Sequence, residues 1–466
     1  MMSTLPLLEI AAELQAVVRS SVPVADLAIA NVCTDSRALR GGDLYVALRG
    51  ERFDGHDFIA QVADRGAVAA VVSAPHESAL PQLQVEDTRT ALGLIARLNR
   101  RRFSGPVIGI TGSAGKTTCK EMLAAILAQQ GATLATEGNL NNEIGVPLTL
   151  LRIAPEHRYA VIEMGAARSG DIAYLCRFAE PDIALVTNAM SAHLEGFGSV
   201  DTIARTKGEI YRGLRAGGTA IVNIDSEYQP LWRQLADTHR VITFGFDPSA
   251  DVRASAVVRN AGGVAFTLHS PTGDIAIHLS LLGLHNVRNA LGAAAAALAA
   301  GVSLETVRTG LAHLRAMPGR LYACSGARGQ IVIDDSYNAS PGAVKAAIDV
   351  LADYAAPRQL ILGNMAELGA QAEFLHREVA RYAAERGIDT MWCVGPHAAA
   401  QVEAFSQQIG TPQNESVRAR AFADNAALIA ALDSAAAATV LVKGSRSAAT
   451  ETIVAALCGE AAGGMH

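Results

Sequence analysis

Pro106-Val107-Ile108-Gly109-Ile110-Thr111-Gly112-Ser113-Ala114-Gly115-Lys116-Thr117-Thr118 runs from a short apolar segment through small residues into a helical stretch over 119–129. A strand that ends in such a loop turns its backbone N–H groups inward, and the positive end of the next helix faces the same point. The stretch predicts a phosphate cradle spanning Gly112, Ser113, Ala114, Gly115, Lys116, Thr117 and Thr118, in which Lys116 reaches the β- and γ-phosphates. The strict Walker spacing would place glycine at position 110, where isoleucine stands, so the pattern here is Thr-Gly-x-x-Gly-Lys-Thr-Thr. A plain strand-to-helix turn is the competing reading, and the flanking strand and helix favour the cradle.

With 466 residues the chain exceeds one core, and three domains are expected. Half of its residues are apolar, so each domain has enough to bury. A formal charge of −6 leaves no basic footprint for nucleic acid or an acidic membrane surface. The six cysteines, Cys33, Cys119, Cys176, Cys324, Cys393 and Cys458, form no Cys-x-x-Cys and read as reduced structural thiols of a cytoplasmic protein. Residues 1–9 show no basic segment ahead of a long apolar one, so no signal peptide is expected. The run 291–300 is nearly all alanine, too short to span a bilayer, and predicts a tightly packed buried helix.

Outward from the cradle, continuously apolar segments at 107–110, 159–163, 182–187, 219–223 and 241–245 suit strands covered on both faces of a parallel sheet. Upstream, strands at 29–34, 43–48 and 67–73 alternate with helices at 58–65 and 90–102, and Ser104-Gly105-Pro106 breaks the chain. The cluster Arg100-Arg101-Arg102 ends the second helix, where cations suit its dipole. Downstream of Met317-Pro318-Gly319, strands at 331–334, 359–362, 390–394 and 439–442 alternate with helices at 342–354, 373–386, 398–407 and 426–437. The expected architecture is α/β in three domains: a small mixed domain at 1–103, a central P-loop-like parallel-sheet domain at 104–317, and a Rossmann-like domain at 318–466.

Several strand ends carry polar residues, where open α/β sheets bind ligands. Glu163 is either the carboxylate that holds a cation beside a nucleotide or a solvated turn residue. His193, on the loop after 182–187, is either a ligand or surface decoration. Lys207 has the wrong charge beside a divalent cation unless carbon dioxide carbamylates it; otherwise it is a solvated helix lysine. The segment Leu284-His285-Asn286-Val287-Arg288-Asn289-Ala290 opens a helix with side chains able to read an adenine edge, or is an N-terminal capping segment. Arg320, on the hinge, is either a fork for the γ-phosphate when domains close or an exposed linker charge. Asp335 is placed to meet a ribose or a phosphate-bound lysine, while Asn338 and Ser340 precede the helix that Pro341 begins.

Taken together, these segments resemble the Mur ligases of peptidoglycan synthesis along essentially the whole chain. The motifs are Thr34-Asp35-Ser36-Arg37, the stretch 42–56, Thr136 to Pro147, Asp335 to Pro341, Glu367 to Gly369 and Leu441 to Ser447. The member most closely resembled adds D-alanyl-D-alanine to UDP-N-acetylmuramoyl-tripeptide; the Asp-Asn-Pro-Arg signature of the diamino-acid-adding relative is absent. The resemblance implies ATP, two Mg²⁺ sites and a carbamylated Lys207. Lys116, Thr117, Asn289, Arg320 and Asp335 would serve the nucleotide, while Thr117, Glu163, His193 and Lys207 would serve the metals. It places the two substrates at Ser36, Arg37, Arg49, Gly50, Asn139, Asn142, Asn338, Ser340, Lys443, Ser445 and Arg446. Lys116, His193, Lys207 and Arg320 would be catalytic, in an ATP-driven amide ligation through an acyl phosphate by a monomer with no nucleic-acid partner and no membrane insertion. A folylpolyglutamate synthetase shares the loop and chemistry, and a nucleotide-sensing regulator shares the loop alone.

Overall fold

Strand Val107–Thr111 sits inside a nine-stranded sheet, between Ile183–Val186 on one side and Tyr159–Glu163 on the other. The computed structural model describes residues 2–191, 194–260, 262–410, 418–432 and 437–459. The sheet continues outward through Thr219–Asn223 and Arg240–Gly245 in one direction and ends at Thr133–Ala135 in the other, all parallel. Every residue of Val107–Thr111 and of Tyr159–Glu163 is buried, as apolar runs covered on both faces require. The chain first moves from Val107–Thr111 to one side and later crosses to the other. Their carboxyl ends therefore open a crevice where the strand order reverses.

Three strands absent from the sequence reading, Val252–Asn260, Gly263–Ser270 and Gly273–Leu279, extend this sheet as an antiparallel meander. Gly263–Ser270 alternates buried with half-buried residues, and Val252–Asn260 is largely exposed, so neither forms the continuous apolar run that marks the buried strands. The alanine-rich segment lies in helix Leu284–Ala299, where Ala293 to Ala297 are fully buried.

The first block holds a five-stranded sheet in the order Val17–Arg19, Gln82–Gln84, Ala69–Val72, Leu44–Val46, Val32–Cys33, beside a two-stranded pair, Leu5–Pro6 with Ala28–Ile29. The sequence reading missed helix Leu7–Leu14 and three of these strands, Leu5–Pro6, Gln82–Gln84 and the wholly exposed edge Val17–Arg19. Helix Thr88–Arg102 is capped by Asp87, whose carboxylate accepts from the N–H groups of Arg89 and Thr90. Its apolar face joins the same core as Leu150, Leu175 and Phe178 of the central block, so it roofs the central sheet. Arg100 does more than suit the helix dipole. Its fully buried guanidinium donates to the carbonyls of Ala179 and Glu180, both at 2.9 Å, and to Asp182 at 2.6 Å. That locks the first block to the second.

The third block is a six-stranded sheet ordered Tyr322–Ser325, Ile331–Asp335, Thr439–Lys443, Arg358–Leu362, Thr390–Val394, Ala419–Phe422, parallel except for the first strand. The two outermost strands are short, and the sequence reading did not find them. Phe197, Ile203 and Leu282 of the central block share a core with Val344, Leu360 and Leu375 of the third, so the two face each other across a packed seam. Among the described residues no disulfide forms, although the sulfurs of Cys324 and Cys458 lie 3.4 Å apart, and no helix is long and apolar enough to cross a membrane.

Candidate functional site

The cradle is shaped by backbone geometry that two glycines make possible. Gly112 (φ +146°) passes so near Thr187 that a Cβ would lie 2.0 Å from its hydroxyl. Gly115 (φ +77°) presses on Asn289, with a Cβ position 2.6 Å from its side-chain oxygen. The loop is braced from the neighbouring strand end: Thr187 Oγ1 donates to the Ala114 carbonyl at 2.7 Å, and the Asn188 amide both donates to that carbonyl and accepts from the Ala114 N–H, each at 3.0 Å. Ser113 exchanges hydrogen bonds with the Met190 backbone. Helix Lys116–Ala128 begins at the cradle, so its N-terminal N–H groups face the crevice. Lys116 Nζ donates to the Gly112 carbonyl at 2.9 Å, and burial together with the Arg320 charge pushes its pKa down against the pull of Glu163.

Glu163 stands at the end of its strand, 2 % exposed. One carboxylate oxygen accepts from the Asn141 amide at 2.8 Å, while the other, Oε2, is buried with no partner in the protein. A buried carboxylate oxygen left unsatisfied costs free energy unless a cation or donor meets it. Glu163 and Thr117 line the same cleft, and among the described residues no three His, Cys, Asp or Glu side chains cluster. That donor set fits a hard cation shared with phosphate oxygens rather than an all-protein cage. Asn141 and Thr136, whose hydroxyl accepts from the Glu163 N–H at 2.9 Å, escaped the sequence reading of this centre; both lie in the stretch 136–147, which carries the family resemblance but was not tied to Glu163.

Lys207, on helix Val200–Arg212, is 2 % exposed; its ammonium has the Ala166 carbonyl 3.4 Å away and the Phe197 ring 5.6 Å away. Burial, reinforced by the Lys116 charge, pulls its pKa down to about 7. Such an amine is substantially neutral at neutral pH, the form that adds carbon dioxide. His193 lies outside the described residues.

Across the seam, Arg320 Nη2 donates to Thr117 Oγ1 at 3.1 Å, and its guanidinium stacks 4.2 Å from the centroid of the Tyr337 ring. Residues 203 positions apart thus meet over the cradle. Asp335 accepts from Lys443 Nζ at 2.5 Å and from the Leu321 N–H at 3.2 Å; burial pushes its carboxyl up while Lys443 opposes that. Lys443, 3 % exposed, also donates to the Asn338 carbonyl at 2.8 Å, so it fixes the loop from Asp335 to Asn338 from behind.

These elements enclose one cleft of about 1170 Å³, lined by all three blocks. It gathers Ser113 to Thr118, Asn139, Asn142, Glu163, Asn289, Arg320, Asp335, Asn338, Ser340 and Lys443. Asn289 donates to the Asn286 side chain at 3.1 Å and Asn286 to the Leu282 carbonyl at 2.8 Å, which sets both amides against the cradle. Ser36, Arg37, Arg49, Gly50, Gly112, Lys207, Ser445 and Arg446 lie outside this lining. Arg37 and Arg49 are exposed and paired with Asp35 and Asp54 on the first domain, and the Arg49 carbonyl meets the cleft residue Arg89 at 3.4 Å. Ser445 is buried, its N–H on the Asn364 carbonyl at 2.9 Å, and Arg446 is exposed beside Glu451.

Comparison with known proteins gives three matches along the chain. Residues 110–297 match the Mur ligase middle domain, 319–446 the Mur ligase glutamate ligase domain, and 28–100 the Mur ligase family catalytic domain. The chain is 46 % identical over 440 residues to the UDP-N-acetylmuramoyl-tripeptide--D-alanyl-D-alanine ligase of Escherichia coli, covering 93 % of this chain and 94 % of that protein. Among solved structures, MurF from Acinetobacter baumannii superimposes with a TM-score of 0.91 at 36 % identity, covering 98 % of this chain and all of that one. MurF ligase from Thermotoga maritima in complex with ADP gives 0.82 at 28 % identity, covering 92 % and 97 %.

Proposed function

The chain belongs to the Mur ligase family, and on that premise we propose that it joins D-alanyl-D-alanine to the peptide carboxylate of UDP-N-acetylmuramoyl-tripeptide with cleavage of ATP to ADP and phosphate. It is an ATP-dependent ligase of peptidoglycan synthesis. A carboxylate is a poor electrophile because oxide would have to leave. It attacks the γ-phosphorus instead, ADP departs, and an acyl phosphate forms. The dipeptide amine then attacks the acyl carbon, phosphate leaves and the amine loses a proton.

Neither step needs a protein nucleophile; both need placement and charge neutralisation. Lys116 and the cradle N–H groups hold the β- and γ-phosphates, and Arg320 approaches from the hinge. Asn289 and Asn286 face the base. Thr117 and Glu163, with its unpartnered Oε2, would hold the first cation, while His193 and Lys207, the latter as its carbamate, would support the second. Mg²⁺ bound there screens the phosphate charge that would otherwise repel the incoming carboxylate. The first block, at Ser36, Arg37, Arg49 and Gly50, takes the UDP-sugar, Asn139 and Asn142 guide the peptide, and Asn338, Ser340, Ser445 and Arg446 form the dipeptide side, with Lys443 supporting it. The domains divide at 1–103, 104–317 and 318–466.

The observation that carries this reading is the 3.1 Å contact between Arg320 and Thr117, which brings the third block onto the start of helix Lys116–Ala128. The test is a coupled phosphate-release assay in which each substrate is omitted in turn. Phosphate release that requires both the UDP-muramoyl-tripeptide and the dipeptide is the expected result. Release supported by folate with glutamate, or by ATP alone, would overturn it.

A further inference from the structure

Loop 164–170 leaves the strand that carries Glu163 and is held from both ends. The Met164 N–H donates to the Ile110 carbonyl and the Gly165 N–H to the Asn141 carbonyl, each at 2.8 Å. The N–H groups of Ala167 and Arg168 both donate to Asp171 Oδ2 at 2.8 Å, and those of Gly170 and Ala173 to Glu209 at 3.0 Å. The backbone under Arg168 is therefore fixed, while its side chain is exposed and lines the cleft.

Arg168 differs from the other cations of that lining. Lys116 is bonded to the Gly112 carbonyl, Arg89 faces Glu143 at 3.4 Å, Arg288 pairs with Asp225, Arg320 meets Thr117, Lys345 pairs with Glu378 and Lys443 with Asp335. Among the described residues, the Arg168 guanidinium alone of these has neither hydrogen bond nor ion pair. A planar fork on an immobilised base, open to a cleft that receives an anionic peptide, is matched to a carboxylate taken two-point. The carboxylate being activated must lie at the γ-phosphate, beside Lys116 and Arg320. The partner of Arg168 is then a different one.

We propose that Arg168 binds a carboxylate of the acceptor peptide that is not the one activated, and so sets which acceptors are used. The inference rests on the ligase reading above. Two sources carry that chemistry: the second carboxylate of a meso-diaminopimelate third residue, which lysine lacks, and an acidic residue elsewhere in the peptide.

The test pairs enzyme and substrate changes. The wild-type protein and Arg168→Met are assayed for kcat/KM with the native acceptor and with acceptors in which one non-reacting carboxylate at a time is a carboxamide. A lysine-terminated acceptor is the fourth substrate. The wild type should lose about ten- to hundredfold on one carboxamide acceptor, the usual worth of a hydrogen-bonded charge pair. Arg168→Met should lose the same factor on the native acceptor and nothing further on that carboxamide, with the loss mainly in KM, and Arg168→Lys should recover part of it. Which carboxamide abolishes the difference identifies the source. Additive losses, equal losses on every acceptor, no loss at all, or a parallel fall in ADP affinity would overturn the proposal. Arg168→Gln gives a second variant should Arg168→Met melt below the wild type. Failure to ligate any acceptor would count against the ligase reading instead.

Discussion

The cleft has two halves made in different ways. The central half is local: strand, loop and helix follow within Val107 to Ala128, and its braces come from the adjacent strand end at Thr187 and Asn188. The third-domain half is assembled across sequence. Arg320 reaches Thr117 over 203 positions, and Asp335 meets Lys443 over 108. On the proposed reading, a site built this way lets nucleotide holding and turnover be struck separately, because Lys116 belongs to one half and Arg320 to the other.

Variants sharpen that contrast. Lys116→Ala strikes the local half and should cut both nucleotide binding and turnover, the latter by about a thousandfold or more, with the melting temperature kept; wild-type turnover would refute the cradle assignment. Lys207→Ala should be comparably inactive yet regain turnover with short carboxylates such as formate. If formate fails and an acid-free intact-mass spectrum shows an unmodified lysine in the wild type, the carbamate is excluded.

Arg320→Ala strikes the assembled half. Turnover should fall about a hundred- to a thousandfold while ADP affinity changes little. A matching loss of ADP affinity would show that the two halves are not separable. The depressed pKa of Lys207, about 7, gives a gentler test. The amine sheds its proton as pH rises through that value, so uptake of labelled carbon dioxide should climb several-fold between about pH 6 and 8, whereas an ordinary lysine would respond only near pH 10. Smallest of all, Tyr337→Leu removes the ring 4.2 Å from the Arg320 guanidinium and should slow turnover about two- to thirtyfold, the range of a partly desolvated cation–π pair. An unchanged rate would mean that the hinge orients Arg320 without it.

What was readable follows the same division. Five of the central parallel strands stood out because two-sided burial demands continuous apolar runs, and the glycine-lysine turn because its residues are contiguous; the three-residue strand Thr133–Ala135 was too short to show such a run. The meander 252–279 and the edge strands Val17–Arg19, Tyr322–Ser325 and Ala419–Phe422 did not, since elements exposed on one face or at an edge carry no such run. Arg100 looked like a helix-terminal cation and is a buried tie between blocks, and Asn141, Asn188 and Tyr337 are recognised only by what stands opposite them.

By itself, the order of residues settled the fold class, the glycine- and lysine-bearing turn from strand to helix, and the family likeness, because periodicity, turn chemistry and contiguous motifs act between near neighbours. Tertiary structure alone decided that Glu163 presents one unsatisfied oxygen, that Lys207 is buried enough to lose its proton near neutrality, and that Arg320 lies over Thr117. Burial and electrostatic environment are properties of what surrounds a side chain in space. Distant segments supply those surroundings only once the sheets have packed.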